Sequence, residues 1–290
     1  MRKIASIIIT ALALSGSVLG LEVIVKGSDT ILNLTQRLAE AFSAVQPDVT
    51  VSITGGGSGV GINALINREI DIANASRSIK SKEISSARAN GVNPVEIVIA
   101  LDGLSVIVNS KNPVSRLTID QIGAIYRGEI TNWSQLGGPN KKIVLYGRQP
   151  NSGTFVFFRD EVVKGEYATS MRQMNGNAQI VEGVNADEGG IGYVGLGYIK
   201  GISGIKPLSV ARTTAGPYFS PADEASVRSG AYPLTRPLYQ YTNGVPKGLV
   251  RAFIEFELSP EGQKIVEEEG FIPVTQNYIQ RNNQILTVGK

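Results

Sequence analysis

Three segments of the chain combine serine or threonine with glycine or asparagine, where a strand pattern gives way to a helix pattern. They are Lys26–Thr30 (KGSDT), Gly55–Gly61 (GGGSGVG) and Arg148–Thr154 (RQPNSGT). A helix start offers unpaired backbone N–H groups and a partial positive charge. Glycine lets the backbone approach a ligand closely, and hydroxyls add small hydrogen-bond donors. These residue types indicate anion binding, although each segment alone is also what an ordinary helix N-cap would show.

Two arginines lie beside these segments. Arg77 follows the strand pattern that ends in Ala75-Ser76, and Arg148 opens the third segment. A guanidinium presents a planar fork of donors that fits a tetrahedral oxyanion, whereas most arginines in proteins are surface residues. In open α/β sheets, ligands bind beyond the carboxyl ends of the strands, which is where all of these residues are expected. Together they favour an oxyanion site.

The 290-residue chain contains no cysteine and no histidine. This composition excludes thiolate nucleophiles, Ser-His-Asp and Cys-His catalysis, and zinc sites built from thiolate or imidazole. Carboxylates, lysine, arginine, hydroxyls and backbone amides remain for chemistry. Together with the three hydroxyl-rich helix starts, these absences favour a protein that is not an enzyme and that has no cofactor and no metal site.

The net charge of the chain is +3. Without Arg2 and Lys3, which lie in a predicted leader, 26 basic residues stand against 25 acidic ones, a net charge of +1. Proteins that bind nucleic acid usually carry a strong basic excess or stripe. A nucleic-acid partner is therefore not expected.

The alternation of strand and helix patterns predicts an α/β protein with mostly parallel sheets. Val23–Val25 and Val49–Ile53 have strand patterns, and the segment between them carries apolar residues at helical spacing. Further strands are predicted at 97–101, 104–108 and 143–146.

Two extended stretches are typical of strands that cross between two lobes of a protein. They are Glu96–Asn109, where two apolar strands meet, and Pro233–Thr242, which two prolines punctuate. They predict a hinge of two strands joining a first lobe, 21–103 with 244–290, to an inserted second lobe, 104–243. A single sheet with long loops is the alternative that periodicity leaves open.

Residues 1–20 have the layout of a secretory signal peptide. Arg2 and Lys3 precede an apolar run from Ile4 to Leu14, and small residues lead to a cleavage point after Gly20. The alternative is a membrane anchor, for which the run is short of the roughly 20 residues that a helix needs. Because there is no cysteine, a lipid cannot be attached through an N-terminal one. We expect a free protein in the periplasm or another extracytoplasmic compartment.

Six motifs occur in the order in which they are found in the phosphate-binding proteins of bacterial and archaeal phosphate ABC transporters. They are GSDT (27–30), GGGSGVGI (55–62), ASR (75–77), RQPNSGTF (148–155), GGIGYVGLGYI (189–199) and YPLTRPLYQYT (232–242). The chain resembles this family over residues 21–290. The resemblance implies a type II periplasmic-binding-protein fold, in which a monomer closes its two lobes on one dehydrated inorganic phosphate. It also implies delivery to ABC transporter permease subunits, with membrane contact only through that permease.

The resemblance assigns ligand roles to residues of both lobes. In the first lobe these are Ser28, Thr30, the backbone of Ile31, Ser58 and Gly59. In the second lobe they are Arg148, Ser152, Gly153 and Thr154.

At one position the chain departs from the family pattern. Well-known members carry an aspartate after the Ala-Ser step, where this chain has Arg77. In the family that carboxylate accepts the proton of hydrogen phosphate and repels sulfate, since an ionised carboxylate can only accept. The resemblance makes Asp29 the replacement acceptor and gives Arg77 a charge-pairing role, either to Asp29 or to phosphate.

Two other functions remain as alternatives. One is the binding of a different tetrahedral oxyanion, such as sulfate or molybdate, and Asp29 argues against sulfate. The other is secreted phosphoester hydrolysis, which requires a metal cluster or an activated nucleophile that the sequence does not offer.

Overall fold

The structure is a computed structural model that describes residues 21–288. The predicted leader, residues 1–20, lies outside the described residues. Among the helices of residues 21–288, none combines the length and the apolar character that crossing a membrane requires.

Strands and helices alternate along most of the chain. The strands are β1 (Leu21–Gly27), β2 (Val49–Thr54), β3 (Ile72–Ala75), β4 (Pro94–Gly103), β5 (Ser105–Asn109), β6 (Arg116–Thr118), β7 (Val144–Arg148), β8 (Arg172–Met174), β9 (Gly190–Val194), β10 (Ile205–Pro207), β11 (Ser209–Ala211) and β12 (Thr235–Asn243). The helices are α1 (Leu32–Val45), α2 (Ser58–Ile66), α3 (Ser81–Ala89), α4 (Ile119–Tyr126), α5 (Gly153–Phe158), α6 (Asn177–Ala186), α7 (Glu224–Arg228), α8 (Gly248–Glu257), α9 (Pro260–Glu268) and α10 (Gln276–Thr287).

Two five-stranded sheets organise the described chain. The first has the order β2-β1-β3-β12-β4, and the second has the order β10-β5-β9-β7-β8. We call the elements packed on them the first lobe and the second lobe. The predicted α/β class is confirmed.

The pairings within these two sheets divide evenly between parallel and antiparallel. In the first sheet β1 is parallel to β2 and β3, whereas β12 is antiparallel to β3 and β4. In the second sheet β7 is parallel to β8 and β9, whereas β5 is antiparallel to β9 and β10. The sheets are mixed rather than mostly parallel, because the chain leaves the first sheet along β4 and returns beside it along β12.

The two crossings between the lobes lie side by side. One residue, Leu104, separates the end of β4 from the start of β5 in the second sheet. The returning strand β12 pairs with β4 from Thr235 opposite Gly103 to Asn243 opposite Pro94, with an irregularity between Leu238 and Tyr239. Over its full length β12 therefore belongs to the first sheet, and the chain re-enters that sheet at Thr235 rather than after residue 243.

The site-bearing strands are held by apolar layers. Helix α1 buries Leu34, Leu38 and Phe42, and the Phe42 ring meets the Phe253 ring of α8 at a centroid distance of 5.4 Å. On the second sheet, α6 buries Ile180 and Val184 in a separate cluster. Burying such side chains stabilises a fold by about 1.5–3 kcal/mol each, so the helix starts at the strand ends are set by a rigid core.

Candidate anion-binding site

The three hydroxyl-rich segments of the sequence are brought together in the structure. A 3₁₀ turn at Asp29–Ile31 follows β1, helix α2 begins at Ser58, and helix α5 begins at Gly153. Each turn lies at the carboxyl end of its strand, and the third comes from the second lobe. This convergence places helix starts from both lobes around one small volume.

Ser28 and Ser152 act as caps of these turns. The Ser28 hydroxyl oxygen accepts a hydrogen bond from the Thr30 backbone N–H at 3.3 Å, and the Ser152 hydroxyl oxygen accepts one from the Phe155 N–H at 3.3 Å. Both serines are 2 % exposed. Their side chains therefore hold the shape of the turns that carry Thr30 and Thr154.

Four hydroxyl groups form a buried row that we call the hydroxyl cluster: Thr30, Ser58, Ser76 and Thr154. The hydroxyl oxygens of Thr30 and Thr154 are 2.7 Å apart, those of Ser76 and Thr154 are 3.3 Å apart, and those of Ser58 and Ser76 are 3.4 Å apart. None of the four residues is more than 2 % exposed. Such a cluster supplies short-range donors from both lobes in a water-poor environment.

Ser76 was missed as a candidate from the sequence, although it stands in the quoted ASR motif. Its backbone N–H donates to the Ser58 hydroxyl oxygen at 3.0 Å, which fixes it against the start of α2. The available signal was a small polar residue directly after the buried strand β3.

Gly153 is tightly enclosed by the hydroxyl cluster. A Cβ at this position would lie 2.3 Å from the Ser58 hydroxyl oxygen and 2.7 Å from that of Ser76. A side chain at this position therefore requires the two serines, or the lobe that carries them, to move away from it.

The segment Gly55–Gly61, which we call the glycine loop, contacts the second lobe through its backbone. The Gly59 N–H donates to the Asn151 carbonyl at 3.0 Å, and the Asn151 side-chain amide donates to the Gly56 carbonyl at 2.9 Å. Gly57 has a φ of 89° and a Cβ there would lie 2.6 Å from the Asn151 carbonyl oxygen. The loop requires glycine both for its left-handed backbone and for this close approach.

Arg148 and Asp29 form a salt bridge across the two lobes. Nη2 of Arg148 donates to Oδ2 of Asp29 at 2.5 Å and to the Asn175 carbonyl at 2.8 Å. Oδ1 of Asp29 accepts the Gly56 backbone N–H at 2.8 Å. Asp29 thus connects its own 3₁₀ turn, the glycine loop and the second-lobe arginine.

The contacts to Asp29 and Asn175 use only one nitrogen of the Arg148 guanidinium, Nη2. Arg148 is 2 % exposed, and its Nε and Nη1 have no hydrogen-bond partner within the part of the chain that the structure describes. Buried polar groups are usually paired, and a guanidinium can only donate. Its remaining N–H groups are suited to an anion bound beside the hydroxyl cluster.

Arg77 pairs with Glu83 and not with Asp29, which was one of the two partners expected for it; the other was phosphate. The two guanidinium nitrogens Nη1 and Nη2 donate to the Glu83 carboxylate oxygens at 2.8 and 2.6 Å. Burial raises the pKa of Glu83, but the hydrogen bonds from Arg77 and from the Lys80 backbone hold it below its usual value. Arg77 pairs with Glu83 because Glu83 lies only six residues further along the chain, in the first turn of α3. Asp29, in contrast, already pairs with Arg148.

A second buried ion pair lies at the crossing of the lobes and was not among the predicted site residues. Nε and Nη2 of Arg236 donate to Oδ2 of Asp102 at 2.9 and 2.8 Å. Asp102 is fully buried and Arg236 is 2 % exposed. Burial lowers the pKa of the Arg236 guanidinium, and Asp102 opposes that effect. The signal in the sequence was an arginine between two prolines inside an otherwise apolar strand pattern.

Ile31 lies under the first turn and is fully buried. The same turn has a contact to the second lobe: the Asp29 carbonyl accepts a hydrogen bond from the Tyr198 hydroxyl at 2.9 Å.

Of the predicted residues, the structure brings together Asp29, Thr30, Ile31, Ser58, Gly59, Arg148, Gly153 and Thr154. It gives Ser28 and Ser152 capping roles and pairs Arg77 with α3.

Known proteins are similar to this chain over most of its length. Residues 15–261 match the family described as the PBP superfamily domain. The phosphate-binding protein PstS of Pseudomonas aeruginosa is 31% identical over 266 residues, covering 86% of this chain and 81% of that protein. The protein SphX of Synechococcus elongatus is 34% identical over 86% of this chain and 76% of its own length.

Solved structures show the same fold. A putative phosphate ABC transporter substrate-binding protein with bound phosphate, from Clostridium perfringens, superposes with a TM-score of 0.77 at 32% identity, covering 88% of this chain and all of that one. An ABC-type phosphate transport receptor from Vibrio cholerae gives a TM-score of 0.70 at 27% identity, covering 87% of this chain and all of that one. The chain has the type II periplasmic-binding-protein fold, and it belongs to the PBP superfamily and, within it, to the family of the phosphate-binding protein PstS.

Proposed function

We propose that this protein captures one inorganic phosphate between its two lobes and delivers it to the permease subunits of an ABC transporter. One observation carries the proposal: the hydroxyl oxygens of Thr30 and Thr154, from opposite lobes, lie 2.7 Å apart. Next to Thr30, Asp29 is bridged to Arg148 of the second lobe, whose Nε and Nη1 have no partner among the described residues. Such a site is complete only when the lobes are closed, so ligand binding favours the closed state. The names of the relatives and the phosphate bound in the Clostridium perfringens protein support it.

The proposed phosphate ligands come from both lobes. From the first lobe they are Thr30, the backbone of Ile31, Ser58 and Ser76; from the second lobe they are Arg148, Gly153 and Thr154. Gly59 is not included, because its backbone N–H donates to the Asn151 carbonyl. Ser28 and Ser152 hold the turns, and Arg77 anchors α3 through Glu83. Hydroxyls and a guanidinium provide many donors for the oxygens of a desolvated phosphate.

Asp29 supplies the proposed selectivity for phosphate over sulfate. Its two carboxylate oxygens receive hydrogen bonds from Gly56 and Arg148, and each oxygen keeps a further lone pair. Hydrogen phosphate brings a proton to such an acceptor, whereas sulfate at neutral pH does not. The Asp29 side chain is 16% exposed, and opposing an unprotonated oxyanion to such a partly buried carboxylate costs about 1–3 kcal/mol for the unpaired acceptors.

The remaining parts of the proposal follow from this role. The protein acts as a monomer without enzymatic activity, in the periplasm or another extracytoplasmic compartment, after cleavage of residues 1–20. The two lobes correspond to residues 21–103 with the chain from Thr235 onward, and to residues 104–234. Family membership and the position of β12 support these assignments.

Titration calorimetry on the secreted protein, stripped of bound anions by unfolding and refolding, tests the proposal. We expect heat on adding phosphate and none on adding sulfate or molybdate. Arg148→Met should weaken phosphate binding strongly, while the control Arg228→Met, at an exposed arginine paired with Glu224 on α7, should not. Binding of sulfate or molybdate without binding of phosphate would overturn the assignment.

A further inference from the structure

The Asp102–Arg236 ion pair joins the two crossing strands at the point where the lobes meet. Asp102 lies near the end of β4, and Arg236 lies near the start of β12, directly opposite it in the antiparallel register. Two guanidinium nitrogens donate to a single carboxylate oxygen, Oδ2, which leaves Oδ1 for other partners. A buried pair of this kind is seldom a net source of stability, so its other contacts indicate its role.

These other contacts reach both lobes. Nη1 of Arg236 donates to the Ser76 carbonyl of the first lobe at 2.9 Å, and Nη2 donates to the Thr154 hydroxyl oxygen of the second lobe at 3.0 Å. Oδ1 of Asp102 accepts the backbone N–H of Leu196, in the second lobe, at 2.7 Å. The bonds to Thr154 and Leu196 depend on how the second lobe sits against the hinge.

An aromatic ring of the second lobe covers the same guanidinium. The centre of the Arg236 guanidinium lies 5.0 Å from the centroid of the Phe157 ring on α5. Cations are attracted to the faces of such rings. The second lobe thus contributes a hydroxyl, a backbone N–H and a ring to one ion pair at the hinge.

The hydrogen bond from Arg236 also decides what the Thr154 hydroxyl can do. A hydroxyl has one proton and two lone pairs, and a guanidinium can only donate. Because Nη2 of Arg236 occupies one lone pair, the proton of Thr154 must point elsewhere, toward the rest of the hydroxyl cluster or a bound anion. Arg236 therefore prepares Thr154 as a donor without needing to contact the anion itself.

We propose that Asp102 and Arg236 are positioning residues of the anion site, which orient the Thr154 hydroxyl and latch the second lobe in the closed state. This inference rests on the proposed function, because closure is defined by the bound phosphate. A latch that forms only on closure stabilises the closed state relative to the open one, and ligand affinity gains by the same amount. Losing it should lower both affinity and the closed fraction.

The first experiment uses the unaltered protein. Amide hydrogen exchange of Leu196, followed by NMR, should slow at least tenfold when phosphate is added, because its bond to Asp102 would form only on closure. Equal protection of Leu196 with and without phosphate would overturn the latch. This measurement does not depend on a variant that folds.

The second experiment uses variants and a distance reading. Since the chain has no cysteine, Lys82→Cys on α3 and Glu182→Cys on α6 allow two spin labels, one on each lobe. In this background Asp102→Asn and Arg236→Lys should bind phosphate at least tenfold more weakly and retain an open population at saturating phosphate. The control Arg251→Lys, at an arginine paired with Glu255 on α8, should match the unaltered protein.

The outcomes separate this inference from the proposed function. A role in stability alone would lower the melting temperature but leave the closed fraction at saturation unchanged, which would reject the latch. If Asp102→Asn binds and closes like the unaltered protein, the latch is wrong while phosphate capture stands. If the unaltered protein binds no phosphate, the proposed function fails and this inference with it.

Discussion

The hydroxyl oxygen of Thr30 lies 2.7 Å from that of Thr154, although the two residues are 124 positions apart and belong to different lobes. Each is the second residue of a helical element, and both are buried. Each hydroxyl has a single proton, so only one of the two can donate to the other. An anion would receive one donor from each lobe only by replacing this hydrogen bond between the two hydroxyls.

Replacing either threonine with valine should therefore weaken phosphate binding. A hydrogen bond to a charged group is worth about 1.5–3 kcal/mol, which corresponds to roughly 10- to 150-fold in Kd. In Thr30→Val combined with Thr154→Val, the losses should be less than additive, because the two side chains are in contact. Calorimetry on the single and double variants measures this, with the exposed Thr214→Val as the control. Unchanged affinity in both single variants would remove the two hydroxyls from the site.

Asp29→Asn should alter the choice between anions. An asparagine can donate as well as accept, so it no longer disfavours an oxyanion without a proton. We expect weaker phosphate binding, by about tenfold or more for a lost charge-assisted bond, together with measurable sulfate binding. Calorimetry with each anion tests this, and Asp48→Asn at an exposed turn is the control. If neither phosphate nor sulfate binding changes, Asp29 is not the selectivity residue.

Gly153→Ala should block closure without unfolding the protein. The added methyl group would lie 2.3 Å from the Ser58 hydroxyl oxygen, while alanine itself suits the first position of a helix. We expect at least a 100-fold loss of phosphate affinity, on the order of the 3 kcal/mol that overpacking can cost. The matched control is Gly176→Ala, where an added Cβ meets no atom of the described chain within 4 Å. Similar affinities in the two variants would contradict the close approach at Gly153.

The fully buried Glu257 predicts a pH dependence of stability. Its Oε1 accepts a hydrogen bond from the Gln240 side-chain amide at 3.0 Å. Its Oε2 has no hydrogen-bond partner within residues 21–288. Burial raises the pKa of Glu257 well above its ordinary value of 4.5. Above that ordinary value the folded chain keeps a proton that the unfolded chain loses, so stability falls as pH rises toward the raised pKa.

Glu257→Gln should remove this dependence, since glutamine resembles the protonated acid. We expect an equal or higher melting temperature than that of the unaltered protein at neutral pH, with a difference that grows toward alkaline pH. Thermal unfolding from about pH 5 to about pH 9 measures it. The exposed Glu255→Gln on the same helix is the control. A variant that loses stability uniformly at every pH would mean that Glu257 is ionised in the folded protein.

Much of the site could be predicted from the sequence because it consists of helix starts. Hydroxyl and glycine patterns mark such starts locally, which is why Thr30, Ser58 and Thr154 were selected. Their meeting in one cluster depends on how the two lobes close, and local patterns do not encode that arrangement. Ser76 and Arg236 were missed for this reason, since their roles come from partners far along the chain.

The pairing of Arg77 shows a second limit. Its partner Glu83 is close in sequence and also accepts the Lys80 backbone N–H at 2.8 Å at the start of α3. A glutamate in that position of a helix is a recognisable capping signal. The resemblance to a family predicted Asp29 or phosphate as its partner instead. Likewise, apolar patterns indicated the strands but not their directions, so the antiparallel share of the sheets was underestimated.

The pairing of Pro94 with Asn243 has a consequence for the order of folding. It closes a loop of about 150 residues, and the entropy cost of closing a loop grows with its length. The strands of the second sheet all lie within residues 105–207, so that sheet can form from one continuous segment and draw the ends of β4 and β12 together. The first sheet, by contrast, cannot be completed until β12 has been synthesised, which happens after the whole of the second lobe. A chain arrested before Thr235 would hold every strand of the second sheet while leaving β4 without its partner in the first.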